Sequence, residues 1–334
     1  MVCGDEPASL CAGSRQSILS RAAAPNLRLG MPRFAKWLID AAPDAPVDQV
    51  ARKALTTRLR AVAWYLDAAI GGEDESEAIH QLRIWTRRSD AALRLFAPAL
   101  ADRPARRLRK ILRKLRRKAG AVRDCEIQRQ QIQDSADRPP RHICSQLDKQ
   151  HRHARQKLKS LRRRVHKADR LQRRSNDVLE AIAWPKRHSS REAPPFAPWC
   201  RQQLAALGQL FFESAAIQPA DDRQLHELRK AGKRLRYALE LSPAALPPRV
   251  HRRLYDELSR LQDRLGAVCD RLVSVEQFRD WESAAHKRKH REQLAMLLSQ
   301  EDQRLAAARQ QFHRWWSGAR RARLKRQWEA ATAA

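Results

Sequence analysis

The sequence predicts an all-α protein built as two four-helix bundles related by an internal repeat and pseudo-twofold symmetry. Three observations predict it. Apolar residues recur at spacings of three and four along most of the chain, with no sustained alternation of period two. Only 10 of the 334 residues are glycine, too few for a turn-dense β fold or for glycine-rich nucleotide loops. Two blocks of the second half repeat blocks of the first at a single common offset.

The elements follow in order. Residues 1–44 read as a poorly ordered leader. They lack the charged segment and apolar run of a secretory signal, and Met31 is a candidate true start. Residues 46–70 place Val47, Val50, Leu55, Leu59, Val62 and Leu66 along the first helix. GGEDESE (71–77) breaks it and caps the second, whose buried stripe is Ile79, Leu82, Thr86, Ser89, Leu93 and Phe96. Pro98 and Pro104 bracket a turn. Leu108, Ile111, Leu112 and Leu115 open a third helix, which Gly120 is expected to interrupt. A long fourth stretch follows Pro140, with Ala154, Leu158, Leu161, Val165, Ala168 and Leu171 at heptad-like positions. PKRHSSREAPPFAP (185–198) holds four prolines and reads as the linker between the halves, 45–190 and 191–330. Helical patterns resume at 199–217, 222–241, 248–265 and 267–330, the last with one or more breaks, so each half carries about four helices.

The repeat joins AIHQLRIWTRRSDAALRLF (78–96) to QLHELRKAGKRLRYALELS (224–242). His80 aligns with His226, Arg83 with Arg229, Arg87 with Lys233 and Arg88 with Arg234. LRRKAGAVRDCEI (115–127) aligns with LQDRLGAVCDRLV (261–273) at the same shift, pairing Gly120 with Gly266 and Asp124 with Asp270.

Charge narrows the partner. Lys and Arg number 68 and Asp and Glu 37, a net charge of +31. Solubility does not need this field, and a polyanionic partner is the natural inference. The 43% apolar share places the charge on a folded protein. No apolar run is long enough for a membrane span. Six scattered cysteines without a Cys-x-x-Cys pair suit reduced thiols in the cytoplasm.

Helical geometry turns the basic motif into a ladder. Positions 0, 3, 7 and 10 of a helix lie within roughly an 80° stripe. His226, Arg229, Lys233 and Arg236 occupy them, as His80, Arg83 and Arg87 do in the first half, with the leucines opposite. Such a ladder suits a linear chain of phosphates. A single copy would read as a solvated helix face; its recurrence favours a site. Residues 106–118, RRLRKILRKLRRK, hold nine cations. Residues 149–174 hold 12 cations, with Asp169 as their only acid. Like charges at i, i+4 destabilise a helix, so part of this surface is expected to await an anion. Asp124 and Asp270 are expected to pair with an arginine of the neighbouring helix and aim it.

These paired His-x-x-Arg helices, each followed by a Gly-x-x-x-Asp block, resemble the CHAD domain, the conserved histidine α-helical domain. The second half, LHELRKAGKRLRYALE (225–240) then LQDRLGAVCDRLV, is the better match; Ile84 and Ser89-Asp90 depart from the pattern in the first. The resemblance covers about 45–330. It implies two four-helix bundles that bind inorganic polyphosphate on a basic surface, and association with polyphosphate granules. Carried over, the binders are His80, Arg83, Arg87, Arg88, His226, Arg229, Lys230, Lys233, Arg234 and Arg236, with Arg113, Lys114 and Arg117 as a weaker set. The Glu-x-Glu-x-Lys start of the triphosphatase domain often fused to this family is absent, which implies a stand-alone binder without cofactor.

Two other readings compete. Net charge alone suits nucleic acid at low salt equally well, but no helix-turn-helix, zinc-finger or RNP signature is present. Trp315, Trp316 and Trp328 are the aromatics least easily assigned to packing, whereas Trp64 and Trp85 suit a core. An enzyme acting on phosphates ranks lowest. His286 and His290 have the spacing of a metal pair, and His151 and His153 lie close together, but both pairs sit in basic runs without the acid such sites need.

Overall fold

The computed structural model describes residues 34–72, 74–135, 140–185, 192–216 and 218–333. Ten α-helices are present among them: α1 (Val47–Ala68), α2 (Glu75–Leu95), α3 (Asp102–Ser135), α4 (Arg141–His166), α5 (Arg170–Glu180), α6 (Phe196–Ala215), α7 (Asp222–Leu239), α8 (Pro248–Ser283), α9 (Arg288–Trp315) and α10 (Gly318–Ala333). The β pairing among the described residues is a single isolated bridge between Pro46 and Pro195.

Each half therefore has five helices where the periodicity predicted four. The fourth stretch breaks in both. Asp169 adopts the left-handed conformation (φ 47°) between α4 and α5, a state that Asp tolerates better than most residues. In the second half the chain leaves α9 at Trp316 and restarts at Gly318. Gly120 and Gly266 do not interrupt their helices: α3 and α8 run unbroken through them for 34 and 36 residues. A lone glycine costs a helix only about 1 kcal/mol, which flanking turns with buried leucines offset.

Local signals set the other boundaries. Asp74 and Asp221 cap α2 and α7, accepting hydrogen bonds from Glu77 N (3.1 Å) and Gln224 N (2.7 Å). Pro46 and Pro195 precede α1 and α6 in extended conformation. Backbone bonds Val47 N to Pro194 O (3.2 Å) and Phe196 N to Ala45 O (2.9 Å) pin the two helix starts side by side.

All ten helices contribute to one continuous apolar core, so the halves do not have separate interiors. Trp85, Trp316 and Trp328 are buried in it. The part of the expected leader that falls within the described residues, 34–44, is packed. Phe34 meets Trp64, Tyr65 and Trp85 edge-on, Trp37 meets His251 and Tyr255 edge-on, and Leu38 N donates to Glu240 O at 3.1 Å. Aromatic burial holds a segment that lacks helical periodicity. Met31 lies outside the described residues.

The long helices form two arms, α3 with α4 and α8 with α9, each about 50 Å by helical rise. A second, smaller core joins the arm ends through Ile132, Ile143 and Leu147 on one side and Phe278, Trp281 and Leu294 on the other. The arms thus meet beyond the level of α2 and α7, and a cleft lies between.

Candidate anion-binding groove

The cleft has a volume of about 590 Å³ and is walled by α2, α3, α7 and α8. His80, Arg83 and Arg87 of α2 face into it, as do His226 and Arg229 of α7. These five are sequence-predicted residues that the fold brings together. Toward the arms the walls are tied by Ser274 Oγ donating to Gln131 Oε1 at 2.5 Å.

The arginines at the second rung of the two ladders are held alike. Arg83 Nη1 lies 3.3 Å from Asp124 Oδ1, and Arg229 Nη2 lies 3.5 Å from Asp270 Oδ1. Each pair joins the ladder helix to the long helix behind it, as the repeated aspartates led us to expect. Both carboxylates are about half exposed, so the pairs orient the guanidinium groups without sequestering them.

Lys233, on the same stripe of α7, is a predicted binder that stands outside the cleft lining, behind it and near enough to Arg87 and Arg229 to feel both charges. Burial, then the Arg87 and Arg229 charges, push its ammonium down to about 7. No carboxylate among the described residues lies within ion-pair distance of it. Burial also lowers His80, and Arg123, Arg83 and Arg87 add to that effect while Glu77 opposes it. A site whose cations depress one another is electrostatically incomplete, and an anion would relieve it.

Sequence reasoning missed two cations and held Arg116 only within the basic run 106–118. Arg123 and Arg223 line the cleft. Arg116 is lowered by burial; Asp90 opposes, and Arg87, Arg94 and Arg113 contribute, which extends the positive field along α3. Arg123 faces the cleft because α3 continues through Gly120, a continuation the expected interruption hid.

The structure places other predicted residues elsewhere. Arg88 and Arg236 are taken up by Glu240, whose side chain is fully buried. Arg88 Nε donates to Oε2 at 2.7 Å, Arg236 Nη1 to Oε1 at 3.2 Å, and Tyr255 Oη to Oε1 at 3.2 Å. Arg88 is rotated about 100° from Arg87 on the helix, which turns it out of the stripe. Arg236 lies at the edge of its stripe, where Tyr255 and Glu240 reach it. Lys230 pairs with Glu227 at 2.5 Å on the outer surface. Arg234, Arg113, Lys114 and Arg117 are exposed and stand outside the cleft lining.

The remaining candidates also find their places. Trp315 carries two guanidinium groups over its ring, those of Arg264 (5.0 Å) and Arg320 (4.4 Å). His290 stacks on His142 at 3.6 Å between ring centroids. Among the described residues, no group of three or more His, Cys, Asp or Glu is placed to hold a metal ion, and no helix is long and apolar enough to cross a membrane.

Comparison with known proteins bears on this architecture. The crystal structure of the CHAD domain from the plant Ricinus communis matches with a TM-score of 0.67 at 21% identity, over 90% of this chain and 98% of that one. PptA from Streptomyces chartreusis matches with a TM-score of 0.60 at 16% identity, over 81% and 99%. No curated protein matches. The CHAD domain family model matches residues 53–279, which include both ladders and the aspartates behind them. With two-thirds of its length inside that match and an all-α fold shared with a solved CHAD domain, the chain belongs to the CHAD domain family.

Proposed function

We propose that the protein binds inorganic polyphosphate in the groove between α2 and α7, without catalysing its turnover. One observation carries this reading. Two cation ladders from separate halves line one cleft, and Arg87 stands close enough to Lys233 for its charge to depress it. A linear, unbranched chain of charges fits such a line better than a compact anion does. The family's known binding of polyphosphate supports the same ligand. The two halves, related by pseudo-twofold symmetry, would offer His80, Arg83 and Arg87 on one side and His226, Arg229 and Lys233 on the other. The protein would act in the cytoplasm, on polyphosphate granules.

Nucleic acid is the second reading, favoured by net charge alone. The aromatic platform that single strands need is not supported by Trp315, whose ring is already occupied by Arg264 and Arg320. A competition titration at physiological salt separates the two, with long-chain polyphosphate against duplex DNA at equal phosphate concentration. Polyphosphate is expected to prevail by a large factor that survives added salt. Equal competition, with both curves collapsing together as salt rises, would reduce the groove to a general polyanion surface.

A further inference from the structure

We propose that the cleft between α3 and α4 is a second binding site for condensed phosphate, separate from the groove and reached by chains long enough to cross α3. It is lined by Lys118, His153, Gln156, Lys157, Ser160 and Arg164, with a volume of about 250 Å³. The side chains are four basic groups and two neutral hydrogen-bonding ones, with no acid.

Concavity singles this face out among the unpaired cations of α4: Arg152, Lys159 and Arg163 are also without a carboxylate within 4.0 Å among the described residues, but they stand outside the cleft lining. On its other flank the basic side chains have acidic partners: Arg155 pairs with Glu75, Arg162 and His166 with Asp67, and His151 lies 3.6 Å from Glu126. Among the described residues, no carboxylate lies within 4.0 Å of Lys118, Lys157 or Arg164. Positions 153, 157, 160 and 164 are four, three and four apart, so they form one stripe along the helix. The apolar stripe Ala154, Leu158, Leu161 and Val165 anchors the helix, so its packing does not require these charges.

The second half does without them. With the buried stripes of α4 and α9 aligned, Leu158 on Leu305 and Val165 on Phe312, His153 and Arg164 correspond to Gln300 and Gln311. Lys157 corresponds to Arg304, which pairs with Glu301 at 3.6 Å. The counterpart of Lys118 is Arg264, which covers the Trp315 ring. The unpaired stripe belongs to the first half alone, which marks it as a feature beyond the common fold.

The cleft is also connected to the groove. Along α3, Arg116 and Asp124 face the groove side, while Lys114 and Lys118 lie roughly 160–200° around from Arg116. Arg113 and Arg117 stand exposed on the ridge between. A chain leaving the groove beside Arg116 meets a cation at each step across one helix diameter, about 10–12 Å, before reaching Lys157 and Arg164. The crossing rests on the polyphosphate reading of the groove; the anion affinity of the cleft itself does not.

The test compares four proteins: the parent, a cleft variant (Lys118→Gln, Lys157→Gln, Arg164→Gln), a groove variant (Arg83→Gln, Arg87→Gln, Arg229→Gln), and a control with three exposed cations removed elsewhere (Arg252→Gln, Arg253→Gln, Arg323→Gln). Each is titrated with tripolyphosphate, long-chain polyphosphate and duplex DNA over a range of salt. The cleft variant should bind tripolyphosphate in the groove as the parent does. Its salt slope for long chains should fall by about 2, for three lost phosphate contacts at roughly 0.7 each. Long-chain binding equal to the parent, an equal loss in the control, or a loss seen only with DNA would each overturn the proposal. A groove variant that binds like the parent would instead refute the groove reading, and the cleft would then be judged on its own variant.

Discussion

Arg88 of α2 donates through Nε to the buried carboxylate of Glu240 at 2.7 Å, across the junction of the two halves. The same carboxylate accepts from Arg236 and Tyr255, while its backbone oxygen accepts from Leu38 N. The fully buried Arg58 lies near enough for Glu240 to oppose the burial that lowers it to about 10. One acid therefore organises α2, α7, α8 and the segment before α1, and it takes up Arg236 from the second ladder and Arg88 from beside the first.

Replacing Glu240 by Gln should destabilise the protein by about 3–5 kcal/mol, because Arg88 and Arg236 lose a shared counter-charge in a buried setting. Urea unfolding at pH 7 reads this directly. Arg88→Met should cost less, while polyphosphate affinity of the folded protein stays at the parental level. A tenfold loss of affinity in Arg88→Met would return that residue to the site.

Removing Arg83, Arg87 and Arg229 together, each replaced by Gln, should reduce the salt slope of long-chain polyphosphate binding by about 2, at roughly 0.7 per contact. Binding at physiological salt should be lost while helical circular dichroism is unchanged. Retained binding would show that the ladders are solvated faces.

Binding should be coupled to proton uptake. Lys233 lies at about 7 and His80 below its ordinary value, and an anion in the groove raises both. The complex then holds more protons than the protein alone. Affinity should fall as pH rises above 7, by up to about tenfold per pH unit for a single group. Isothermal titration in two buffers of different ionisation enthalpy measures the uptake. Lys233→Arg, charged throughout this range, should flatten the profile; an unchanged profile would rule out Lys233 as its source.

Gly208 of α6 packs directly against the Trp328 indole of α10. A Cβ there would collide with the Trp328 indole, whose Nε1 donates to Leu204 O at 3.2 Å. Gly208→Ala should destabilise by about 1–3 kcal/mol through overpacking without altering anion affinity. A thermal midpoint equal to the parent's would mean that the indole moves aside freely.

How much was legible beforehand differs between levels. Helical periodicity located the helices and their buried stripes, because 3.6-residue spacing is written directly in the order of apolar residues. Chain breaks were harder. Gly120 suggested an interruption that the flanking leucines override, whereas Asp169 makes a real break through a left-handed backbone that composition does not announce. That Asp124 and Asp270 each pair with an arginine of the neighbouring helix was readable from the repeat; that the partners are Arg83 and Arg229 came from the packing of the helices.

The sequence by itself determined the all-α class, the basic character and which cations share one face of one helix, because these depend on neighbours within a few turns. Only the tertiary structure decided which of those cations face the groove. Glu240 stands 152 residues from Arg88, and no local pattern says that it will be buried against it. A buried carboxylate must be paired, and the nearest guanidinium groups are bound to it whatever ladder they belong to. Long-range packing thus assigned Arg88 and Arg236 to the junction of the halves. It left His80, Arg83, Arg87, His226 and Arg229 facing the cleft.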